Sequence, residues 1–264
     1  MLDRRSRATR AARTRLSAGE RELQILRAAT KVFARSNYRV AGTADIALEA
    51  GIAEPTIYKY FPSKKALFIR ILKRIGERIL EIWHQEVAAD SGNSLSALRR
   101  IGRVYLENLG THSDELKIQF QALAESDDPD ITRQLQENHK AYVRFFAALI
   151  HRGQLEGVVR ADVDPYSSGW FLNGFGFTLT LVQILGFDQR IGKRQVRRMI
   201  DAYLDWLAGQ GPLAAARRKN HLRGGRQGPR PLHAVKRREN LRNASFRDYA
   251  MAGVSRAVGT AGQC

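Results

Sequence analysis

The run from Ala50 to Phe68, AGIAEPTIYKYFPSKKALF, constrains this chain more than any other stretch. It reads as the end of one helix, a tight turn at Gly51, a short helix near Glu54–Tyr60, and a new helix opening at Ser63. Two helices joined by a glycine-containing turn form the arrangement whose second helix can enter a DNA major groove. The short helix carries Thr56, Tyr58, Lys59 and Tyr60, while Ile57 and Phe61 are free to face inward. Hydroxyl and ammonium groups in that pattern suit phosphates and base edges better than a catalytic pocket.

The residues around this run resemble the N-terminal domain of the TetR family of transcriptional regulators. The resemblance rests on Asp45-Ile46-Ala47, Ala50-Gly51-Ile52, Thr56-Ile57-Tyr58, Tyr60-Phe61-Pro62-Ser63-Lys64 and Ala66-Leu67-Phe68. It is dense from about Leu23 to Leu72 and thins afterwards. A second match is the loop Gly153–Pro165, whose Gly…Gly…Arg-x-Asp-x-Asp-Pro pattern resembles C-terminal domains of the same family. By position, the resemblance implies groove-facing roles for Glu54, Pro55, Thr56 and Lys59. It implies phosphate contacts for Tyr58, Tyr60, Lys64 and Thr43. Chemistry allows these roles: Lys59 can donate to guanine O6 or N7, and Glu54 can accept from cytosine N4. Helix starts at Thr43 and Ser63 present free N–H groups to phosphate.

Three positions depart from the family pattern. Ala41-Gly42 stands where Thr-Thr is usual, so Gly42 or Thr43 must begin the second helix. Ala53 replaces a Ser cap and is weaker by about 1 kcal/mol. Pro55 replaces a common Gly, and a proline fits a first helical turn because its missing N–H has no partner there. These changes bear on which operator is read rather than on whether DNA is bound.

The periodicity is helical nearly throughout, which predicts an all-α fold. Ser17-Ala18-Gly19-Glu20 has capping-box spacing and opens a helix with Leu23, Leu26, Ala29, Val32 and Phe33 on one face, ending near Ser36-Asn37. A second helix spans Thr43 to Glu49. The fourth buries Leu67, Ile71, Leu72, Ile75, Ile79 and Ile82 and continues towards Val87. Further helices fall near 94–110, 114–126, 129–152, 165–186 and 193–208. The expected organisation is a basic arm over 1–16, a helix-turn-helix DNA-binding domain over 17–75, an effector-binding and dimerisation domain over 76–210, and a basic, disordered tail over 211–264.

Charge follows this division. Of the formal +18, residues 1–15 hold +5, 16–74 hold +6, 75–210 hold −3 and the tail holds +10. A basic reader joined to a slightly acidic remainder is the balance of a DNA-binding protein with a separate non-DNA domain. The only cysteine, Cys264, rules out an intramolecular disulfide. Arginines interrupt the first fifteen residues, where a signal peptide would need an apolar run, so a cytoplasmic location is expected. Pro165–Phe187 has no charged residue and is long enough to span a bilayer. Its Asn173, Thr178, Thr180, Gln183 and four glycines, with no second span, favour a helix buried at a core or dimer interface.

No nucleophile elbow, phosphate-binding Gly-rich loop or His-Glu-x-x-His is present, so no enzyme activity and no cofactor are expected. His112, His139 and His151 form no convincing metal triad. The resemblance implies that the C-terminal helices enclose an effector pocket and form a homodimer. Residues suited to line it are Phe120, Tyr142, Phe146, Trp170, Asn173 and Phe177. The amides of Asn173 and Gln183 need partners in an apolar helix, in the pocket or across the dimer. The expected partners are thus a double-stranded palindromic operator, a small apolar or amphipathic effector, a second copy of the chain, and no membrane. The expected function is that of a ligand-released repressor. An activator of the same fold and a charge-driven architectural nucleic-acid binder are the alternatives.

Overall fold

The computed structural model describes residues 16–108, 113–187 and 192–209. The arm over residues 1–15, His112 and the tail beyond residue 209 lie outside the described residues. Nine helices make up the described fold, with no strand among the described residues. Contacts divide the chain into two compact units.

The first unit contains the described residues up to Ile75 together with Ser113–Leu135. Its opening helix α1 spans Ala18–Ser36. The expected capping box is present: the Ser17 hydroxyl accepts from the Glu20 N–H, and the Glu20 carboxylate accepts from the Ser17 N–H at 2.8 Å. These bonds hold the Glu20 carboxyl below its usual range. One face of α1 buries Ile25, Leu26, Ala28, Ala29, Val32 and Phe33, while Leu23 is only half-buried. Helix α2 (Thr43–Ala50) follows, with Gly42 as its cap. Gly42 has no side chain to offer, so Asp45 reaches back to the Gly42 N–H at 3.1 Å.

Helix α3 (Glu54–Tyr58) is shorter than the expected Glu54–Tyr60, and helix α4 spans Lys64–Ala88. Ser63 caps α4 through the Ala66 N–H at 3.0 Å. Within this unit α4 buries Leu67, Phe68, Ile71, Leu72 and Ile75. Phe68 meets Phe33 edge-on at 5.3 Å between centroids.

Helix α6 (Ser113–Ala124) and the start of α7 (Pro129–Leu155) also pack in this unit. The sequence reading assigned residues 113–135 to the C-terminal domain. Ile118, Ala122 and Ile131 are buried here, and Gln121 Nε2 donates to the Phe33 carbonyl at 2.9 Å. Arg39 bonds Glu125 at 2.7 Å, and Lys65 pairs with Asp128 and Asp130 at 3.2 and 3.0 Å. Such exposed pairs contribute little individually. The buried aliphatic residues supply the packing.

The second unit contains Gly76 to Asn108 and the described residues from Gln136 onward. Its core combines Ala97, Leu98 and Ile101 of α5 (Ser94–Glu107), Phe146, Leu149 and Ile150 of α7, and Leu204 and Leu207 of α9 (Lys193–Leu207). Trp83 and Phe145 pack against it. The Gly153–Pro165 loop is ordered by its own polar groups. Gly157 sits at φ +73°, and Gln154 Nε2 donates to the carbonyls of Arg160 and Val163 at 3.1 and 2.8 Å. Asp164 then caps α8 (Pro165–Ile184) through the Ser167 N–H at 2.7 Å. No helix among the described residues is long and apolar enough to cross a membrane.

Candidate nucleic-acid interface

Gly51 makes the turn that aims α3. It adopts φ +64°, a left-handed conformation that glycine enters without a Cβ penalty. Its successor, Ile52, donates to the Ala47 carbonyl at 3.0 Å, and Gly51 donates to Leu48 at 3.1 Å. Together these close α2 with a Schellman-type cap. Ala53 then precedes α3 with no side-chain cap, and Pro55 occupies the first turn, as the sequence implied. Ile57 and Phe61 anchor the helix inward, both nearly fully buried.

The remaining side chains of this segment meet different fates. Pro55, Tyr58 and Lys59 are exposed, while Glu54, Thr56 and Tyr60 are half-buried. Lys59 makes no ion pair among the described residues. Thr43 Oγ1 donates to Glu54 Oε1 at 2.5 Å and lies 3.0 Å from the Tyr58 hydroxyl. Lys64 is turned inward: Nζ donates to the carbonyls of Arg39 and Ala41 at 3.2 and 3.1 Å and sits 5.0 Å from the Tyr38 ring centre. Burial, then nearby Asp128 and Glu125, push the Tyr38 phenol above its ordinary range. Thr43, Glu54, Pro55, Thr56, Tyr58, Lys59, Tyr60 and Lys64 all belong to the first unit. Three of them, Thr43, Glu54 and Tyr58, form one hydrogen-bonded cluster, a link across eleven residues that sequence spacing alone does not reveal.

The residues expected to line an effector pocket are less gathered. Phe120 belongs to the first unit, whereas Tyr142, Phe146, Trp170, Asn173 and Phe177 belong to the second. Tyr142 and Phe146 are buried and ring Trp83 at 5.2 and 4.6 Å between centroids. The Asn173 amide meets His139 Nδ1 at 3.2 Å, and the Phe177 ring lies 6.3 Å from the His139 ring. Trp170 is 45% exposed and faces outward. A separate groove of about 400 Å³ lies between α5 and α9, lined by Arg99, Gly102, Arg103, Leu106, Arg197, Ile200, Asp201 and Asp205. None of the six residues reaches it. Its sequence signal was the four-residue spacing of Arg99 with Arg103 and of Arg197 with Asp201 and Asp205, which place each set on one helix face.

A buried-anchor helix following a left-handed glycine turn, with polar groups on its outer side, defines a helix-turn-helix DNA-binding domain. Residues 25–71 match the family described as bacterial regulatory proteins, tetR family. The matched stretch is therefore a tetR-family DNA-binding domain. Among relatives, it is 34% identical over 79 residues to the HTH-type transcriptional activator FasR of Mycolicibacterium smegmatis, covering 30% of this chain and 36% of that protein. The chain thus spans about a third of that relative's length. A transcriptional regulator from Saccharomonospora viridis, solved with choline, is similar at 25% identity and TM-score 0.62, covering 71% of this chain and 96% of that one. FadR from Bacillus subtilis, solved with stearoyl-CoA, shares the fold at 20% identity and TM-score 0.59, covering 71% and 98%.

Proposed function

We propose that this chain is a homodimeric repressor that binds a palindromic operator and is released from it by a small apolar or amphipathic effector. The observation that carries the DNA half is α3 itself. Its apolar residue Ile57 is buried, its polar groups face outward, and exposed Lys59 keeps an unpaired ammonium. The reading assigns Glu54, Pro55, Thr56 and Lys59 to the groove, and Tyr60 to the flanking phosphates.

Dimerisation is supported by α8 and its C-terminal end. Tyr166, Trp170, Phe171, Leu181, Ile184 and Leu185 are large apolar residues left exposed on one protomer. A patch of this kind, rimmed by polar residues, marks an association surface. A two-fold dimer would cover the patch and set two recognition helices about one DNA turn apart. An effector then acts only through differential affinity for the two dimer geometries. The complexes of the similar proteins with choline and with stearoyl-CoA support a small-molecule effector.

Selection of bound sequences from random DNA by the purified protein tests this reading. A single palindrome with half-sites about ten base pairs apart is the expected result. Lys59→Ala should relax preference at one position per half-site and cost about 1–3 kcal/mol on the best site. A second reading, charge-driven coating of nucleic acid, is favoured by the +15 held by the two chain ends. It requires equal binding to all duplexes, with a steep salt dependence.

A further inference from the structure

The Thr43–Glu54–Tyr58 cluster has a direction. Thr43 Oγ1 donates its one proton to Glu54 Oε1 at 2.5 Å. A hydroxyl has no second proton, so at the 3.0 Å contact with Tyr58 the phenol must be the donor. The order is therefore Tyr58 to Thr43 to Glu54. Both hydroxyl protons are committed inside the protein, and a phosphate oxygen would meet only lone pairs. Phosphate binding by Thr43 would first have to break a charge-assisted bond, the stronger kind, and phosphate binding by Tyr58 would break its neutral bond to Thr43.

Glu54 gains what the hydroxyls give up. One carboxylate oxygen is fixed, and the other has no partner among the described residues. The side chain stands at the start of α3, half-buried, between exposed Pro55 and the α2 terminus. A fixed, acceptor-only group is a discriminating reader. In the major groove, guanine offers two acceptors and thymine one, so both repel it. Adenine sets its N6 donor beside the N7 acceptor. Cytosine alone presents the N4 donor without an adjacent acceptor.

We infer that Glu54 selects cytosine through N4 at one position of each half-site, and that Thr43 and Tyr58 are positioning residues for it rather than phosphate contacts. This rests on the reading that α3 enters the major groove. The negative charge strengthens the selection, since against guanine or thymine the carboxylate stands unsatisfied beside a polyanion and against adenine it also faces the N7 acceptor.

The test compares bound-sequence selection and affinities at one salt concentration for the wild type, Thr43→Ser, Thr43→Val and Glu54→Gln, with helicity checked by circular dichroism. The wild type should prefer cytosine at one position per half-site by about tenfold. Thr43→Ser keeps the donor and should retain that preference. Thr43→Val should reduce it to about twofold while leaving preferences elsewhere intact, and Glu54→Gln should move it towards adenine, which glutamine reads through N6 and N7. If Thr43→Val instead weakens all sequences equally and keeps the cytosine, Thr43 is a phosphate contact and the inference fails. A palindrome with no cytosine dependent on Glu54 also overturns it while leaving the regulator reading standing. Absence of any selected palindrome would remove the regulator reading itself, and this inference with it.

Discussion

Helix α8 contains three glycines, Gly169, Gly174 and Gly176, and alanine substitution should separate them sharply. A Cβ at Gly169 would lie 2.6 Å from the Val143 carbonyl oxygen and 3.2 Å from Val143 Cγ1. The obstacle is the backbone of α7, which cannot turn aside as a side-chain tip could. Overpacking of this kind costs about 1–3 kcal/mol, and a backbone obstacle belongs in the upper half of that range. Against it stands the helix-propensity gain of alanine over glycine, about 1 kcal/mol. Gly169→Ala should therefore destabilise by about 1–2 kcal/mol. At Gly174 and Gly176 an added Cβ meets nothing within 4 Å in the protomer, so only the propensity gain of about 1 kcal/mol remains. The two classes should differ by about 2–3 kcal/mol, or roughly 5–10 °C in Tm for a fold of this size. Thermal and urea unfolding at several protein concentrations measure this. If Gly174 lies in the dimer seam, its gain should shrink as concentration rises, because the dimer then feels the added methyl. A Gly169→Ala protein as stable as Gly174→Ala would refute the close packing of α8 on α7.

Leu181, 38% exposed on the apolar face of α8, separates seam from core: Leu181→Glu should give a folded monomer by analytical ultracentrifugation, and a persistent dimer would move the seam elsewhere. The Lys65 clasp should be sensitive to acid. The Lys65 hydrogen bond holds the Asp130 carboxyl below its usual range, so its contribution is complete above the ordinary aspartate range and is lost as pH falls through the lowered value. The same carboxylates raise the Lys65 ammonium, whose contribution holds at neutral pH and is lost only at strongly alkaline pH. Lys65→Met should lower stability slightly at neutral pH and flatten the acid limb of a pH–stability curve, and an unchanged curve would show the clasp to be energetically silent.

Much of the first unit was legible because local chemistry decides it. Ser17 and Glu20 cap α1 within four residues, Ser63 caps α4, and Gly51 is the residue type that a left-handed turn asks for. The all-helical fold and the order of its elements follow from the apolar periodicity. What escaped depends on partners distant in the chain. The α6 pattern shows an apolar face but not which unit buries it, and Gln121 finding the Phe33 carbonyl is a tertiary event. Glycine spacing in α8 does not show which positions are packed within the protomer, and of the three only Gly169 is tightly approached there. Aromatic residues gave the weakest guide, since core packing and pocket lining use the same types. Trp170 faces outward, whereas Tyr142 and Phe146 pack on Trp83 in the interior.

The lysines of the reader domain show how the same charge serves three ends. Lys65 is engaged by Asp128 and Asp130. Lys64 closes the turn after α1 by donating to two carbonyls, over the Tyr38 ring. Hydrogen bonds to a charged group contribute about 1.5–3 kcal/mol each, so drawing Lys64 onto a phosphate would first sacrifice that closure. A phosphate contact there would have to outweigh both bonds in a solvent-exposed, salt-screened setting. Lys59 carries no such obligation. It ends α3, is exposed, and can meet DNA without breaking any bond of the protomer. With Glu54 held at the first residue of the same helix, α3 offers an acceptor at one end and a cation at the other. On the proposed reading, opposite charges five residues apart, about one and a half helical turns, would set the direction in which the helix reads a half-site, because reversing it would place the acid against a guanine edge and the lysine against a cytosine amine.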